Sequence, residues 1–217
     1  MMGYIYVKRD TVCDRTAIQN ALDEAAKLGR GTVILEGDFS VNGSLYVSDN
    51  TTVIIKNGTL SALDKSIPLI INSNCLLPRT RTLYGMQEGI TITGENGCIS
   101  GKIELFNVSD FSIGNLSFKS CEEAVSTAYV SGGQMHSLRF DDVKTCITAA
   151  IGTRNCTFTN ITTEGENESI VFSSSRLENR WVNYFGPDVN NNIVRGLQSS
   201  HLPKIIGEYC YDILIDQ

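Results

Sequence analysis

Histidine and tryptophan are nearly missing from this chain of 217 residues, which carries two of the first and one of the second. Two histidines, His136 and His201, cannot form the imidazole cluster of a catalytic zinc site. The seven cysteines stand singly, with no Cys-x-x-Cys pair to hold a structural one. No metal and no other cofactor is expected. Charge is scarce as well: Asp, Glu, Lys and Arg make up 19% of the chain, too little for a disordered segment or a coiled coil. What charge there is leans acidic, with a net −6 and a pI near 5.0. A nucleic-acid partner held through its phosphates is therefore not expected. The longest apolar run, Ile67 to Ile71, is far too short to cross a bilayer, so no membrane partner is expected either. The first residues show no charged segment followed by an apolar one. The chain as written reads as cytoplasmic, or as extracellular if it is a fragment or phage-derived.

Proline is scarce (4) while glycine is abundant (19), and Asn recurs beside Gly, Ser or Thr, a composition of many turns and few helices. One stretch has a helical period. From Asp14 to Leu28 the apolar residues Ile18, Ala21, Leu22 and Ala25 fall at i, i+3, i+4 and i+7, and Gly29 sits where a C′ glycine ends a helix. After Gly31 the chain becomes short β-type runs closed by Gly, Asn or Asp. The runs repeat: Thr52–Ile55, Ile90–Gly94, Phe111–Phe118, Leu138–Val143, Cys156–Ile161 and, more weakly, Asn192–Leu197. Their spacing of roughly 18 to 27 residues is that of a solenoid. With no crossover helix between strands, the expected fold is all-β: a single-stranded right-handed parallel β-helix of about seven coils behind an N-terminal capping helix. One domain is expected over 1–217, with the cap at 14–28, regular coils over 31–175, and irregular last coils with a C-terminal cap over 176–217. Asn115, Asp142 and Asn160 are expected at equivalent turns. Ile113, Phe140, Ile147, Phe158 and Ile170 are expected inside, and Cys121, Cys146 and Cys156 as buried thiols.

The segment Asp14-Arg15-Thr16-Ala17-Ile18-Gln19, leading through Gly29-Arg30-Gly31-Thr32-Val33, resembles the opening of the pectate-lyase-like superfamily. Gly89 to Gly101, with Ile90-Thr91-Ile92-Thr93-Gly94 inside it, resembles a coil of its polygalacturonase-like glycoside hydrolase branch. The resemblance covers about the first half of the chain. It implies a β-helix acting on a polysaccharide or oligosaccharide, of acidic or plant type, by hydrolysis. The branch builds its catalytic centre from "N-T-D", "G-D-D", "G-H-G" and "R-I-K" motifs, and none of the four occurs here. Its catalytic register is filled instead by Glu122 and Glu123 in one coil and by Glu166 and Glu168 two coils later. Carboxylates two coils apart are separated by roughly 9.5 Å, the upper limit for an inverting acid–base pair. These four glutamates are the catalytic candidates. Tyr129, Arg154, Arg176, Arg180, Trp181 and Tyr184 are the candidates for substrate binding, as aromatic faces and cations that suit sugar rings and uronates. A lyase would draw its base from Arg139, Lys144, Arg154 or Arg176. The alternative class is a non-catalytic, saccharide-binding or tailspike-like β-helix, as a monomer or a homotrimer.

Overall fold

The structure is a computed structural model that describes residues 3–8, 14–73, 86–165, 167–174 and 188–216. The elements run β1 (Gly3–Lys8), α1 (Asp14–Lys27), β2 (Gly31–Glu36), β3 (Phe39–Val41), β4 (Leu45–Val47), β5 (Thr52–Ala62) and β6 (Ile70–Asn72). They continue with β7 (Gln87–Glu88), β8 (Thr91–Ser100), β9 (Ile103–Phe106), β10 (Val108–Ser109), β11 (Ser112–Ala128) and β12 (Gln134–Ala150). The last are β13 (Thr157–Glu164), β14 (Glu168–Ser173), β15 (Val189–Arg195), β16 (Lys204–Ile206) and β17 (Cys210–Asp216).

Every strand pairs parallel to its neighbours, rung on rung. The first ladder runs β1-β2-β5-β8-β11-β12-β13-β15-β17, and a second runs β4-β6-β9, through the far halves of β11 and β12, to β14 and β16. Seven rungs lie between β1 and β17. This is the right-handed parallel β-helix that the repeats predict.

Stacking fixes the core. Because each rung repeats the inward positions of the last, side chains form columns about 4.8 Å apart. One column is Val33, Val53, Ile92, Ile113, Met135, Phe158 and Val194. A second is Phe39, Leu60, Ile99, Phe118 and Phe140, in which the last two rings stack at 5.1 Å. A third is Leu45, Ile70, Ile103, Val125, Ile147 and Ile170. All five residues expected inside are fully buried. Cys121, Cys146 and Cys156 are buried free thiols, and burial pushes them up to about 11, 12 and 12.

The corners are made by single residues with positive φ. Asn57, Asn96, Asn115, Ser137 and Asn160 form one such series, with φ between 47° and 55°. Asn tolerates this region better than other side chains do, which explains its frequency. Asp142 does not belong to the series. Leu116 pairs with Leu138 and Cys121 with Val143, so Asn115 stands opposite Ser137 and Asp142 opposite Ser120. The β11 and β12 coils have a second bend a few residues further on, which Ser120 and Asp142 make.

The two ends differ. α1 buries Ile18, Ala21, Leu22 and Ala25 against the first coil, and Gly29 follows it at φ 72°. The Gln19 side-chain amide donates to the Tyr46 carbonyl at 3.1 Å and accepts the Tyr46 N–H at 2.8 Å. One side chain thus stands in for the missing rung beside β4 and closes its edge. The other end has no helix among the described residues. β15 and β17 pair as rungs of the first ladder, and Leu202, Ile205, Tyr211 and Leu214 are exposed on and beside the last of them.

Phe158→Ala opens a hole in a column that cannot collapse without moving its neighbours. It is expected to cost about 3–5 kcal/mol in urea unfolding, and a loss below about 1 kcal/mol would contradict the column. Iodoacetamide on the native protein at pH 8 is expected to leave Cys121, Cys146 and Cys156 unmodified by mass spectrometry, and to label all three in urea.

Candidate functional site

The second ladder carries a column of three polar residues in direct register, a buried threonine between two partly exposed glutamates. Glu123 on β11 pairs with Thr145 on β12, and Thr145 pairs with Glu168 on β14. Two rungs therefore separate the carboxylates, roughly 9.6 Å along the stack. The Glu123 Oε1 accepts the Thr148 hydroxyl, and its Oε2 lies 2.8 Å from the Lys102 ammonium. Lys102 also reaches Glu104 Oε2 at 2.8 Å. The Glu168 Oε2 accepts the Thr145 hydroxyl at 3.3 Å, and its Oε1 accepts Lys204 Nζ at 3.0 Å. Glu122, one residue earlier, projects into solvent. Its side chain is 83% exposed and meets only Lys144, at 3.2 Å, among the contacts described. Glu123 and Glu168 thus come together, Glu122 does not join them, and Glu166 lies outside the described residues.

Lys102, Thr145, Thr148 and Lys204 are the members of this site that sequence reading misses. Their pairing depends on register across rungs, where a shift of one residue turns a side chain to the other face. Thr145 offers the one usable signal, since it holds the place in its own coil that Glu123 and Glu168 hold in theirs.

Tyr129 and Arg154, 25 positions apart in sequence, meet at the far end of the same face. They line a cavity of about 260 Å³ with Met86, Ser131, Gly152 and Asn155. Tyr129 takes φ 53°, a strained conformation for a bulky residue, and its ring packs edge-on to Phe106 at 5.5 Å. Gly152 makes room for that ring, because a Cβ there would lie 2.5 Å from Tyr129 Cδ1. Only 3% of Tyr129 is exposed, so little of its ring is open for a sugar to stack on. Six residues of strand separate it from Glu123, roughly 20 Å. Arg176, Arg180, Trp181 and Tyr184 lie outside the described residues. Of the basic candidates for a lyase, Arg139 pairs with Glu164 and Lys144 with Glu122, away from the Glu123 column. Among the described residues no three His, Cys, Asp or Glu side chains gather as a metal cage, and no helix is long and apolar enough to cross a membrane.

No protein-family model matches the chain, and no curated protein matches it in sequence. Solved structures match its fold. The product of ORF18 of Geobacillus virus E2 superposes with a TM-score of 0.70 at 14% identity over 98% of this chain and 47% of that one. A protein from Parabacteroides merdae provisionally named a glycosyl hydrolase gives 0.62 at 14% identity, over 96% and 95%. A tailspike protein mutant of the E. coli bacteriophage HK620, solved with a pentasaccharide, gives 0.63 at 12%, over 95% and 38%. The chain thus spans nearly the whole Parabacteroides protein and less than half of each viral one. At these identities the likeness is one of fold.

Burial works to lower the pKa of Lys102, but Glu104 and Glu123 outweigh it and raise the ammonium above its ordinary value. A raised folded pKa means that the stabilisation is fully present below the unfolded value of about 10.4 and is lost as pH climbs through the folded one. Lys102→Met is expected to destabilise by about 1–3 kcal/mol in urea unfolding up to pH 10, with the gap to the parent closing above that. The comparison with the parent cancels the buried thiols, which lose stability over the same range. A gap that stays constant to pH 11.5 would contradict the pairing.

Proposed function

We propose that this chain is a carbohydrate-active β-helix that binds an acidic or plant-type polysaccharide across its second ladder and hydrolyses glycosidic bonds with Glu123 and Glu168. One observation carries the reading: the two carboxylates share a column, two rungs apart, with only a threonine between them. Their separation of roughly 9.6 Å sits at the upper end of the range in which an inverting pair leaves room for water. Each carboxylate accepts one hydroxyl and pairs with one lysine, and the two divide the roles of general base and general acid between them. Thr145 occupies the intervening rung and its hydroxyl donates to Glu168. The Tyr129–Arg154 cavity takes a more distant sugar, with the guanidinium directed at a carboxylate. The fold likeness to a provisionally named glycosyl hydrolase and to a tailspike solved with a pentasaccharide is in keeping with this reading.

A second reading, a non-catalytic saccharide-binding β-helix, has its own observation. Each described glutamate of the candidate set has a lysine within 3.2 Å: Lys144 for Glu122, Lys102 for Glu123 and Lys204 for Glu168. Charge matching of this kind also suits a purely structural surface.

A reducing-sugar assay over a polysaccharide panel separates the two. Under the hydrolase reading, Glu123→Gln combined with Glu168→Gln lowers turnover at least about a hundredfold while binding is little changed. Release of reducing ends by neither the parent nor the variant, with binding kept by both, favours the non-catalytic reading. Unsaturated products absorbing in the ultraviolet would overturn hydrolysis in favour of elimination.

A further inference from the structure

A second concave surface lies round the coil from the carboxylate column, at the first bend. Its origin is a step in the stack. β5 and β8 are in register through the bend, Ile55 with Gly94 and Gly58 with Gly97. On the next rung Gly114 pairs with Thr93 and Leu116 with Gly97, so the single residue Asn115 spans what Gly94, Glu95 and Asn96 span in β8. The earlier coils overhang by two residues and the later ones are recessed. Glycine is required at the step, since a Cβ on Gly94 would stand 2.4 Å from the Asn115 carbonyl oxygen. The recess is a groove of about 560 Å³, within the range of small-ligand sites.

The groove is polar. Asn96, Asn115, Ser117, Lys119 and Arg139 line it, with Leu116 as its apolar member. Ser117 pairs with Arg139 and Lys119 with Asp141, so the two cations lie on adjacent rungs, two residues apart along the strand. That offset sets their Cα atoms roughly 8 Å apart. Glu164 on the next rung holds the Arg139 guanidinium through Nη2, and Asp141 stands beside Lys119 at the rim. Arginine has five donors in a planar fork, so one carboxylate does not exhaust it. A planar fork and a point charge, with amides and hydroxyls between them, recognise an oxyanion carried on a polyhydroxylated body. The net charge of the whole chain is −6, so long-range attraction cannot account for holding an anion here, and these two side chains must do it locally.

We propose that this groove is a second saccharide site, distinct from the Glu123–Glu168 column, that takes an anionic sugar by its sulfate or carboxylate between Lys119 and Arg139. The test is calorimetric titration of the full chain with a tetrasaccharide of iota-carrageenan, with tetragalacturonate and with maltotetraose. One of the two anionic probes binds with a Kd below about 1 mM, more weakly as salt is raised, and the probe that binds tells sulfate from carboxylate. Lys119→Gln with Arg139→Gln weakens it at least about tenfold. Glu123→Gln with Glu168→Gln leaves it unchanged, so this site and the proposed catalytic column fail or succeed separately. Amide shifts on titration centre on Asn96, Asn115 and Ser117, a second readout that needs no variant. Equal binding of maltotetraose, binding that survives the Lys119 and Arg139 changes, shifts elsewhere, or no binding of either anionic probe overturns the proposal.

Discussion

A parallel stack of coils holds together only if what one rung places at a position is acceptable to the rungs above and below it. The hydrogen bonds run along the stack, so side chains in a column sit about 4.8 Å from their equivalents whether or not they suit each other. Inside, this favours like on like, as with the stacked rings of Phe118 and Phe140. Outside, it disfavours runs of one charge, and several charged residues meet opposite or neutral partners across rungs: Lys102 beside Glu123, Thr145 between Glu123 and Glu168, and, where Asp141 and Glu164 stack in register, Arg139 beside Glu164. The corners obey the same demand, since a residue that bends one coil must bend over the bend of the next.

This constraint explains what the sequence discloses. Apolar alternation repeats from coil to coil, so the inward set from Ile113 to Ile170 can be read without coordinates, as can the helix from the 3.6-residue spacing of Ile18, Ala21, Leu22 and Ala25. Register is harder. The β11 and β12 coils each have more than one left-handed bend, and Asn and Asp suit any of them, so Asp142 reads as the mate of Asn115 when it is the mate of Ser120. Ser137, the true mate of Asn115, carries no such signature. The rungs near the C-terminal end are obscured for another reason. β17 exposes Tyr211 and Leu214 and only half-buries Ile213 and Ile215, so it lacks the contrast by which a strand is recognised.

The candidate site divides along the same line. Glu123 and Glu168 are legible because they recur at one place in the coil, while their lysine partners come from elsewhere in the chain and are visible only once the rungs are aligned. Tyr129 and Arg154 come together, but the fold uses the tyrosine ring for packing against Phe106 and Gly152, which composition alone does not reveal. Register thus decides which polar residues share a column, and with it what chemistry each face can offer.

The unlike ends give the molecule a direction. A rung inside the stack is held from both sides, whereas β1 and β17 each have one strand neighbour among the described residues, and on β17 Tyr211 and Leu214 are exposed while Ile213 and Ile215 pack partly against the core. At the other end Gln19 and the buried face of α1 supply the second set of contacts to the first coil. Among the described rungs the first coil is braced by α1 and β17 by β15 alone, so opening is expected to spread from β17 toward the helix, as in other one-dimensional arrays. Amide protons in β15 and β17 exchange first and those in β2 and β5 last. Slow exchange then records distance from the open rung rather than depth below the surface.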